Sequence, residues 1–144
     1  MLKDLVFLTQ TDTTIGFVSQ NAERLTAIKQ RPPHKYYIKA VDSLQTLKTF
    51  TRVPSSQKNR VRRAQKTTFV MPDGHSYRVV RDKQHLLLLH RLKWAYTTSA
   101  NLSSYAYDET FAKEAADVII TPLKENKSAS QIFKLGKKTI KRIR

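Results

Sequence analysis

The sequence predicts one α/β domain over residues 1–144, with an open, twisted, mixed sheet and flanking helices. The main evidence is that short, β-branched apolar segments alternate along the chain with segments of helical spacing. No internal repeat, low-complexity stretch or domain linker interrupts this alternation. At 144 residues with 40% hydrophobic residues, the chain is long enough to bury one core.

The first half of the chain predicts two strands and two helices before a basic segment. Leu5 to Leu8 is predicted to be a strand that enters a threonine-rich turn, where Gly16 allows close backbone approach or a positive φ. Ser19 or Asn21 can cap a helix that continues to Ile28 and is stopped by two prolines. A strand over 36–41 and a helix over 43–48 follow.

The second half predicts a hairpin, a leucine-rich helix and a second hairpin. Pro72-Asp73-Gly74 is a turn between strands 67–71 and 75–80. Asp82 is expected to cap a helix that ends at Leu92, and we expect its four consecutive leucines to be largely buried. The remaining predicted elements are strand 94–96, helix 108–116, a buried strand 118–120 and a hairpin over 132–144 with one charged face.

The net charge is the most pronounced bulk property. Lysine and arginine total 27 against 11 aspartates and glutamates, which gives a net charge of +16. Such a balance favours a polyanionic partner, either nucleic acid or a phosphorylated ligand. No apolar run approaches about 18 residues, which excludes a membrane span, and the first residues do not resemble a signal peptide. We therefore expect a cytoplasmic protein.

Several common kinds of site are excluded by composition. The chain has no cysteine, so disulfides, thiolate metal sites and cysteine nucleophiles are excluded. None of the four histidines has a carboxylate at metal-ligand spacing, so we expect no protein metal site, and we expect His85 and His90 at the surface of their helix. Glycine-rich nucleotide loops are also missing. An enzyme of this composition would work by positioning reactants and neutralising charge.

Three basic features could bind an anion, and each has a structural alternative. Lys29 and Arg31 precede the helix-ending prolines, where they either complement the helix dipole or bind phosphate. Arg78 lies in an apolar strand and is either an edge-strand charge or an anion ligand. Residues 57–63 carry a basic cluster that is either a solvated helix face or an RNA-binding surface, with the arginines Arg60, Arg62 and Arg63.

A polar stretch from Thr97 to Ser103 follows the short strand at 94–96. Most of its side chains are hydroxyls or amides that can hydrogen-bond either backbone or ligand. It is either a turn that caps the next segment or a ligand-binding loop, because polar residues after an α/β strand often bind the ligand.

The order of these motifs resembles the threonylcarbamoyl-AMP synthase family, the YrdC-like domain. The matching motifs are Thr11-Asp12-Thr13 with Gly16, Lys29-Gln30-Arg31-Pro32, Arg78, and Thr98-Ser99-Ala100-Asn101-Leu102-Ser103. The chain departs from the family pattern in Gln10, Ile15, the segment Ala64-Gln65-Lys66-Thr67-Thr68, the segment Lys35-Tyr36-Tyr37-Ile38, and Ser104.

The resemblance implies a YrdC-like fold and a nucleotidyltransferase. Such proteins combine L-threonine, bicarbonate and ATP, with Mg²⁺, and release pyrophosphate to give threonylcarbamoyl-AMP for tRNA threonylcarbamoyladenosine modification. By resemblance, catalysis is assigned to Lys29 and Arg31, which also bind ATP together with Lys35, Thr67, Ser99, Asn101 and Arg142. L-threonine is assigned to Thr11, Thr13, Arg78, Thr97 and Ser130.

Two functions therefore remain open at the level of sequence. The first is the synthase, whose product passes to the tRNA threonylcarbamoyl transferase machinery. The second is a non-catalytic protein of the same fold that binds tRNA, double-stranded RNA or the ribosome. RNA contact is expected from Arg60, Arg62 and Arg63 together with Lys137, Lys138 and Lys141.

Overall fold

The computed structural model describes residues 2–33, 35–124 and 129–144, so His34 lies outside the described residues. Within them the chain forms one mixed sheet of nine strands in the order β7-β1-β2-β6-β3-β5-β4-β8-β9. The strands are Phe7–Gln10 (β1), Ile15–Ser19 (β2), Ile38–Val41 (β3), Thr67–Val70 (β4), Ser76–Val79 (β5), Trp94–Ser99 (β6), Val118–Ile119 (β7), Gln131–Leu135 (β8) and Ile140–Arg142 (β9).

The centre of the sheet is mixed because β3 pairs parallel with β5 and antiparallel with β6. Strand β2 pairs antiparallel with β6, with Gly16 opposite Ser99. A Cβ atom on Gly16 would lie 3.0 Å from the carbonyl oxygen of Thr98, so the absence of a side chain lets the two strands approach closely. The close-approach reading of Gly16 is the one that the structure supports.

Four of the five helices begin at side-chain caps that the sequence contains. The helices are Ala22–Lys29 (α1), Leu44–Phe50 (α2), Lys58–Arg63 (α3), Lys83–Leu92 (α4) and Glu109–Ala115 (α5). Asn21, Ser43, Asp82 and Asp108 accept hydrogen bonds from the first-turn amides of α1, α2, α4 and α5. No helix among the described residues is long and apolar enough to cross a membrane.

The core lies on both faces of the sheet. On one face, Phe17 and Leu25 form a cluster beneath α1 and α5, and Val41 and Val61 form another beneath α2 and α3. On the other face, α4 packs over Val18 and its neighbours. The predicted α/β architecture with an open, mixed sheet is confirmed.

Four local predictions were wrong. Strand β6 continues to Ser99, so the first three of the seven residues in the expected polar turn are extended strand. Leu87 is 70% exposed, because four consecutive helical residues cannot all face the core. His85 takes a core position instead and is 1% exposed. Ile119 is exposed because β7 is the outermost strand of the sheet.

Candidate functional site

A polar cavity of about 250 Å³ opens on the sheet face that carries Arg78 and Thr97. It brings together six residues that the sequence predicted for the site and a further arginine, so we call it the cationic cavity. Its predicted members are Thr13, Arg31, Arg78, Thr97, Ser99 and Ser130, and it is completed by Thr14, Tyr36, Ile38, Thr98, Ala129 and Arg144.

Arg78 forms the floor of the cationic cavity. It lies in β5, between β3 and β4, and is buried, so the edge-strand reading is wrong. Its guanidinium forms an ion pair with Asp12 and donates a hydrogen bond of 2.9 Å to Oγ1 of Thr13. Burial lowers the pKa of Arg78, and the carboxylate of Asp12 opposes that shift. Asp12 and Thr13 therefore hold a buried cation in a fixed orientation.

Arg31 and Arg144 both line the wall of the cationic cavity. Nη2 of Arg31 donates to the carbonyl oxygen of Tyr36 at 2.9 Å, and its guanidinium lies 4.5 Å from the ring centroid of Tyr37. Nε of Arg144 donates to the carbonyl oxygen of Ser130 at 2.8 Å. Within the part of the chain that the structure describes, these contacts use only part of each guanidinium, and its other N–H groups could donate to an anionic ligand.

Arg144 occupies the wall position that the sequence assigned to Arg142. Arg142 is exposed on β9 and does not line the cavity. The hydroxyl of Ser130 lies 3.3 Å from Nη2 of Arg144 and 2.7 Å from Oγ1 of Thr68. Thr68, rather than the predicted Thr67, is thus the β4 residue next to the cavity.

Lys29 does not line the cavity but fastens the loop beside it. Its ammonium donates to the carbonyl oxygens of Ser99 and Asn101 at 2.7 and 2.8 Å, and it lies 3.4 Å from Oδ1 of Asn101. Burial, helped by the positive charge of Arg31, lowers the pKa of Lys29 to about 8. Because its donors are used within the protein, Lys29 positions the loop that supplies Ser99.

Asn101 is also committed to the loop. Its Nδ2 donates to the carbonyl oxygens of Leu102 and Tyr105 at 2.8 and 2.7 Å, and its Oδ1 accepts from the hydroxyl of Ser99. Ser99 therefore reaches the cavity wall while Asn101 lies behind it.

The other predicted ligand-binding residues do not line the cavity wall. Thr11 is buried behind it, where Oγ1 accepts a hydrogen bond of 3.1 Å from the backbone amide of Thr13. Thr67 is buried in β4 and donates to the carbonyl oxygen of Gln65 at 2.8 Å. Lys35 is exposed outside the wall.

The two predicted basic segments lie next to each other. Oγ of Ser56 donates to the carbonyl oxygen of Lys137 at 2.6 Å, and Nε2 of Gln57 donates to that of Thr139 at 3.3 Å. Helix α3 therefore borders the turn between β8 and β9, and we call the combined surface the basic face. Its exposed cations are Arg60, Arg62, Arg63, Lys137, Lys138 and Lys141.

A larger cavity of about 450 Å³ has mostly apolar walls that include Phe7, Leu88 and Val118. Arg91 is the one charged side chain among its described lining residues. The smaller cationic cavity is the better candidate site, because several charged and hydroxyl groups converge there.

The described residues contain no group of three or more histidine, aspartate or glutamate side chains placed to hold a metal ion. Asp12 is the carboxylate closest to the cationic cavity through its partner Arg78, and that ion pair occupies it.

Sequence reasoning missed Asp12 and Arg144. Asp12 lies between two threonines that were assigned to the site. Its role could have been inferred, because a buried Arg78 requires an anionic partner. Arg144 has the same residue type and lies two positions beyond the predicted Arg142. No local signal separates the two, since the end of a strand has no sequence marker here.

Comparison with known proteins supports the fold more strongly than the function. No family model matches the chain. A Mycoplasma pneumoniae protein described as an uncharacterized MG259 homolog is 30% identical over 158 aligned positions, which cover 97% of this chain and 32% of that protein. The chain thus spans about a third of that relative's length.

Several solved structures have a fold similar to that of this chain. Sua5 of P. abyssi, complexed with L-threonine, superimposes with a TM-score of 0.82 at 16% identity, over 99% of this chain and 51% of that protein. YciO of E. coli superimposes with a TM-score of 0.76 at 19% identity, over 97% of this chain and 82% of YciO. HypF in its phosphate- and nucleotide-bound form superimposes with a TM-score of 0.78 at 14% identity, over 99% of this chain and 27% of HypF. The chain therefore has the YrdC-like fold that the resemblance implied.

Proposed function

We propose that this chain forms L-threonylcarbamoyladenylate from L-threonine, bicarbonate and ATP, with release of pyrophosphate. The observation that carries the proposal is the convergence of Arg31, Arg78 and Arg144 on one hydroxyl-lined cavity. Arginine forks suit carboxylate and phosphate oxygens, and L-threonine carries a carboxylate while ATP carries a triphosphate. The complex of the structurally similar Sua5 with L-threonine agrees with this choice of substrate.

The chemistry divides into carbamate formation and adenylate transfer. The threonine amine adds to bicarbonate with loss of water, and an oxygen of the resulting carbamate attacks the α-phosphorus of ATP. The bond from that phosphorus to the bridging oxygen breaks, and pyrophosphate leaves. No protein nucleophile is needed, so the protein contributes position and compensating positive charge.

Each wall of the cationic cavity can be given a part in this reaction. Arg78 is held rigidly on the floor and suits the threonine carboxylate, with Thr13 and Thr97 beside it. Arg31 and Arg144 offset the negative charge of the phosphates. Lys29 acts as a positioning residue that keeps Ser99 on the wall. Mg²⁺ would enter with ATP, held by phosphate oxygens rather than by protein carboxylates.

The proposal is tested by pyrophosphate release from ATP, measured with and without L-threonine and bicarbonate. We expect release that depends on both and that falls at least about 100-fold in Arg31→Ala, as for loss of a transition-state charge contact. Arg91→Ala removes an exposed arginine remote from the cationic cavity and is the matched control. Absence of release from the well-folded wild type, or equal release from both variants, would contradict the proposal.

A second function, RNA binding without catalysis, is favoured by the basic face. The hydrogen bonds of Ser56 and Gln57 bring two cationic segments to one surface. Phosphate neutralisation by such a surface gives affinity that falls steeply with salt. We expect Arg62→Ala to reduce the slope of log K against log salt for tRNA or double-stranded RNA by about 1. Pyrophosphate release should not change in this variant.

A further inference from the structure

A second cavity, of about 310 Å³, lies on the opposite face of the sheet from the cationic cavity. We call it the aromatic cavity because six rings line it, those of Tyr36, Tyr37, Phe50, His75, Tyr77 and Tyr96. Its remaining lining residues include one cation, Lys39, and one carboxylate, Asp73. Its volume is at the lower end of the range for small-molecule sites, roughly 300–1,000 Å³.

The strand register explains why these side chains meet. Lys39 in β3 is opposite Tyr96 on one side and Tyr77 on the other, so the three form a row across neighbouring strands. Arg78 and Thr97 are the next residues along two of those strands, and successive residues of a strand point to opposite faces. The two cavities are therefore separate, and only Tyr36 borders both among the described lining residues.

Lys39 presents unused donors inside this ring of aromatic groups. Its ammonium lies 4.0 Å from the ring centroid of Phe50, 4.6 Å from that of Trp94 and 5.4 Å from that of Tyr96. Among the residues that the structure describes, no hydrogen-bond acceptor contacts it. Lys39 is half-buried, and this burial lowers its pKa, while the carboxylate of Asp73 opposes the shift.

Asp73 supplies an acceptor in the same cavity. Its carboxylate accepts from the backbone amide of His75 at 2.8 Å and from the hydroxyl of Tyr77 at 3.0 Å. Burial acts to raise its pKa, but hydrogen bonds from Thr51, His75 and Tyr77 outweigh it and hold the pKa of Asp73 below its usual value. The carboxylate of Asp73 and the ammonium of Lys39 therefore lie in the same aromatic-lined cavity.

The rim of the cavity is an exposed aromatic surface. Tyr36 is 75% exposed and packs edge to face against the ring of His75, with centroids 5.0 Å apart. A large exposed ring at the mouth of a cavity offers a stacking surface at little entropic cost. Beside it, the guanidinium of Arg31 covers the ring of Tyr37.

We propose that the aromatic cavity binds an unstacked nucleobase. Rings stack on a base, the Lys39 ammonium can donate to a ring nitrogen or carbonyl oxygen of the base, and the Asp73 carboxylate can accept from its amino group. A purely apolar ligand would leave the Lys39 ammonium without a hydrogen-bond acceptor, which disfavours it. The base can come from a free nucleotide or from a single-stranded segment of RNA, and the net charge of +16 suits both.

The single tryptophan makes the test site-specific. The ring of Trp94 contacts two lining residues of the aromatic cavity, the ammonium of Lys39 at 4.6 Å and the ring of Tyr96 with centroids 5.2 Å apart, so its fluorescence is sensitive to a ligand there. The probes are a single-stranded oligoadenylate of about eight nucleotides, an abasic oligonucleotide of equal length and charge, and AMP. The abasic oligonucleotide measures binding through phosphates alone.

We expect the oligoadenylate to change Trp94 fluorescence and to bind at least tenfold more tightly than the abasic oligonucleotide, an order-of-magnitude figure for one stacked base. Tyr36→Ala should weaken this binding about tenfold. Tyr105→Ala removes an equally accessible tyrosine, 70% exposed, and should have no effect. Lys39 lines the aromatic cavity and not the cationic cavity. Lys39→Met should therefore also weaken oligoadenylate binding, by about fivefold or more.

The AMP arm separates the two sources of the base. Tyr36- and Lys39-dependent binding of AMP as tight as that of the oligonucleotide identifies a free nucleotide, whereas much tighter oligonucleotide binding identifies RNA. Equal affinity for the abasic oligonucleotide, or equal behaviour of Tyr36→Ala and Tyr105→Ala, would overturn the proposal. Pyrophosphate release should be unchanged in Lys39→Met, so this test and that of the synthase succeed or fail independently.

Discussion

Acid should destabilise this protein through one buried histidine. His85 is 1% exposed, and burial, with the positive charge of Arg78 second, lowers its pKa from 6.5 to about 4. The unfolded chain therefore binds a proton at His85 more readily than the folded one. The stability contributed by neutral His85 is complete above pH 6.5, falls as the pH is lowered, and is lost once the pH passes below the folded pKa.

The size of the loss follows from the shift in pKa. A shift from 6.5 to about 4 corresponds to roughly 3 kcal/mol of unfolding free energy, most of it lost by about pH 4.5. His85→Leu removes the titrating group. It also removes two ring nitrogens that are buried without a partner among the described residues, so stability at pH 7 should be unchanged or higher.

The assay is urea unfolding followed by Trp94 fluorescence at pH 7 and at pH 4.5. His90→Leu is the matched control, because His90 lies on the same helix and is exposed. Wild type and His90→Leu should lose about 2–3 kcal/mol more between the two pH values than His85→Leu does. The reasoning is refuted if all three proteins lose the same amount.

Three further substitutions test how the cationic cavity is held together. Lys29→Met should lower the unfolding free energy by about 1.5–3 kcal/mol, because charged hydrogen bonds to the 99–101 loop are lost, and amide exchange in that loop should become faster. Unchanged exchange would contradict its positioning role. Gly16→Ala brings a methyl group against the carbonyl oxygen of Thr98 and should cost about 1–3 kcal/mol, measured by thermal unfolding. Asp12→Asn should cost about 3–5 kcal/mol by leaving Arg78 without its anionic partner, and Asp12→Asn with Arg78→Met should recover part of that loss. A double variant no more stable than the single one would argue against that pairing.

The sequence was sufficient where the determining interaction is local. Asn21, Ser43, Asp82 and Asp108 each cap a helix through an amide two or three residues away, so the starts of four helices could be predicted from composition and spacing. The hairpin turn at 72–74 was equally local, because Gly74 adopts a positive φ there.

The leucine-rich helix contained a signal that was overlooked. His85, Leu88, Leu89 and Leu92 are spaced at i, i+3, i+4 and i+7, which places them on one face, and these are the buried residues of α4. Reading the four consecutive leucines as a buried block obscured this period. Helical spacing would have predicted both the buried histidine and the exposed Leu87.

The roles of Lys29 and Arg144 could not be read from the sequence. Lys29 contacts carbonyl groups 70 and 72 residues away, and only the tertiary structure decides whether its ammonium faces the cavity or the loop. Arg144 depends on the register of β8 and β9, which the strand pairing sets. Motif order located the correct region, but which members of each motif reach the ligand is a property of the packed sheet.

Arg78 affects both the acid response of His85 and the cationic cavity of the proposed activity. The described residues contain three buried side-chain nitrogens without a partner, Nε of Arg78 and both ring nitrogens of His85, and the charge of Arg78 lowers the pKa of His85. Protonated His85 would place a second cation beside the floor of the cationic cavity, where Asp12 alone compensates Arg78 by an ion pair. Because its pKa is lowered to about 4, His85 stays neutral in the folded protein above that pH and adds no second positive charge beside Arg78. Burial of His85 is the first cause of its lowered pKa, and the charge of Arg78, buried between β3 and β4, adds to it.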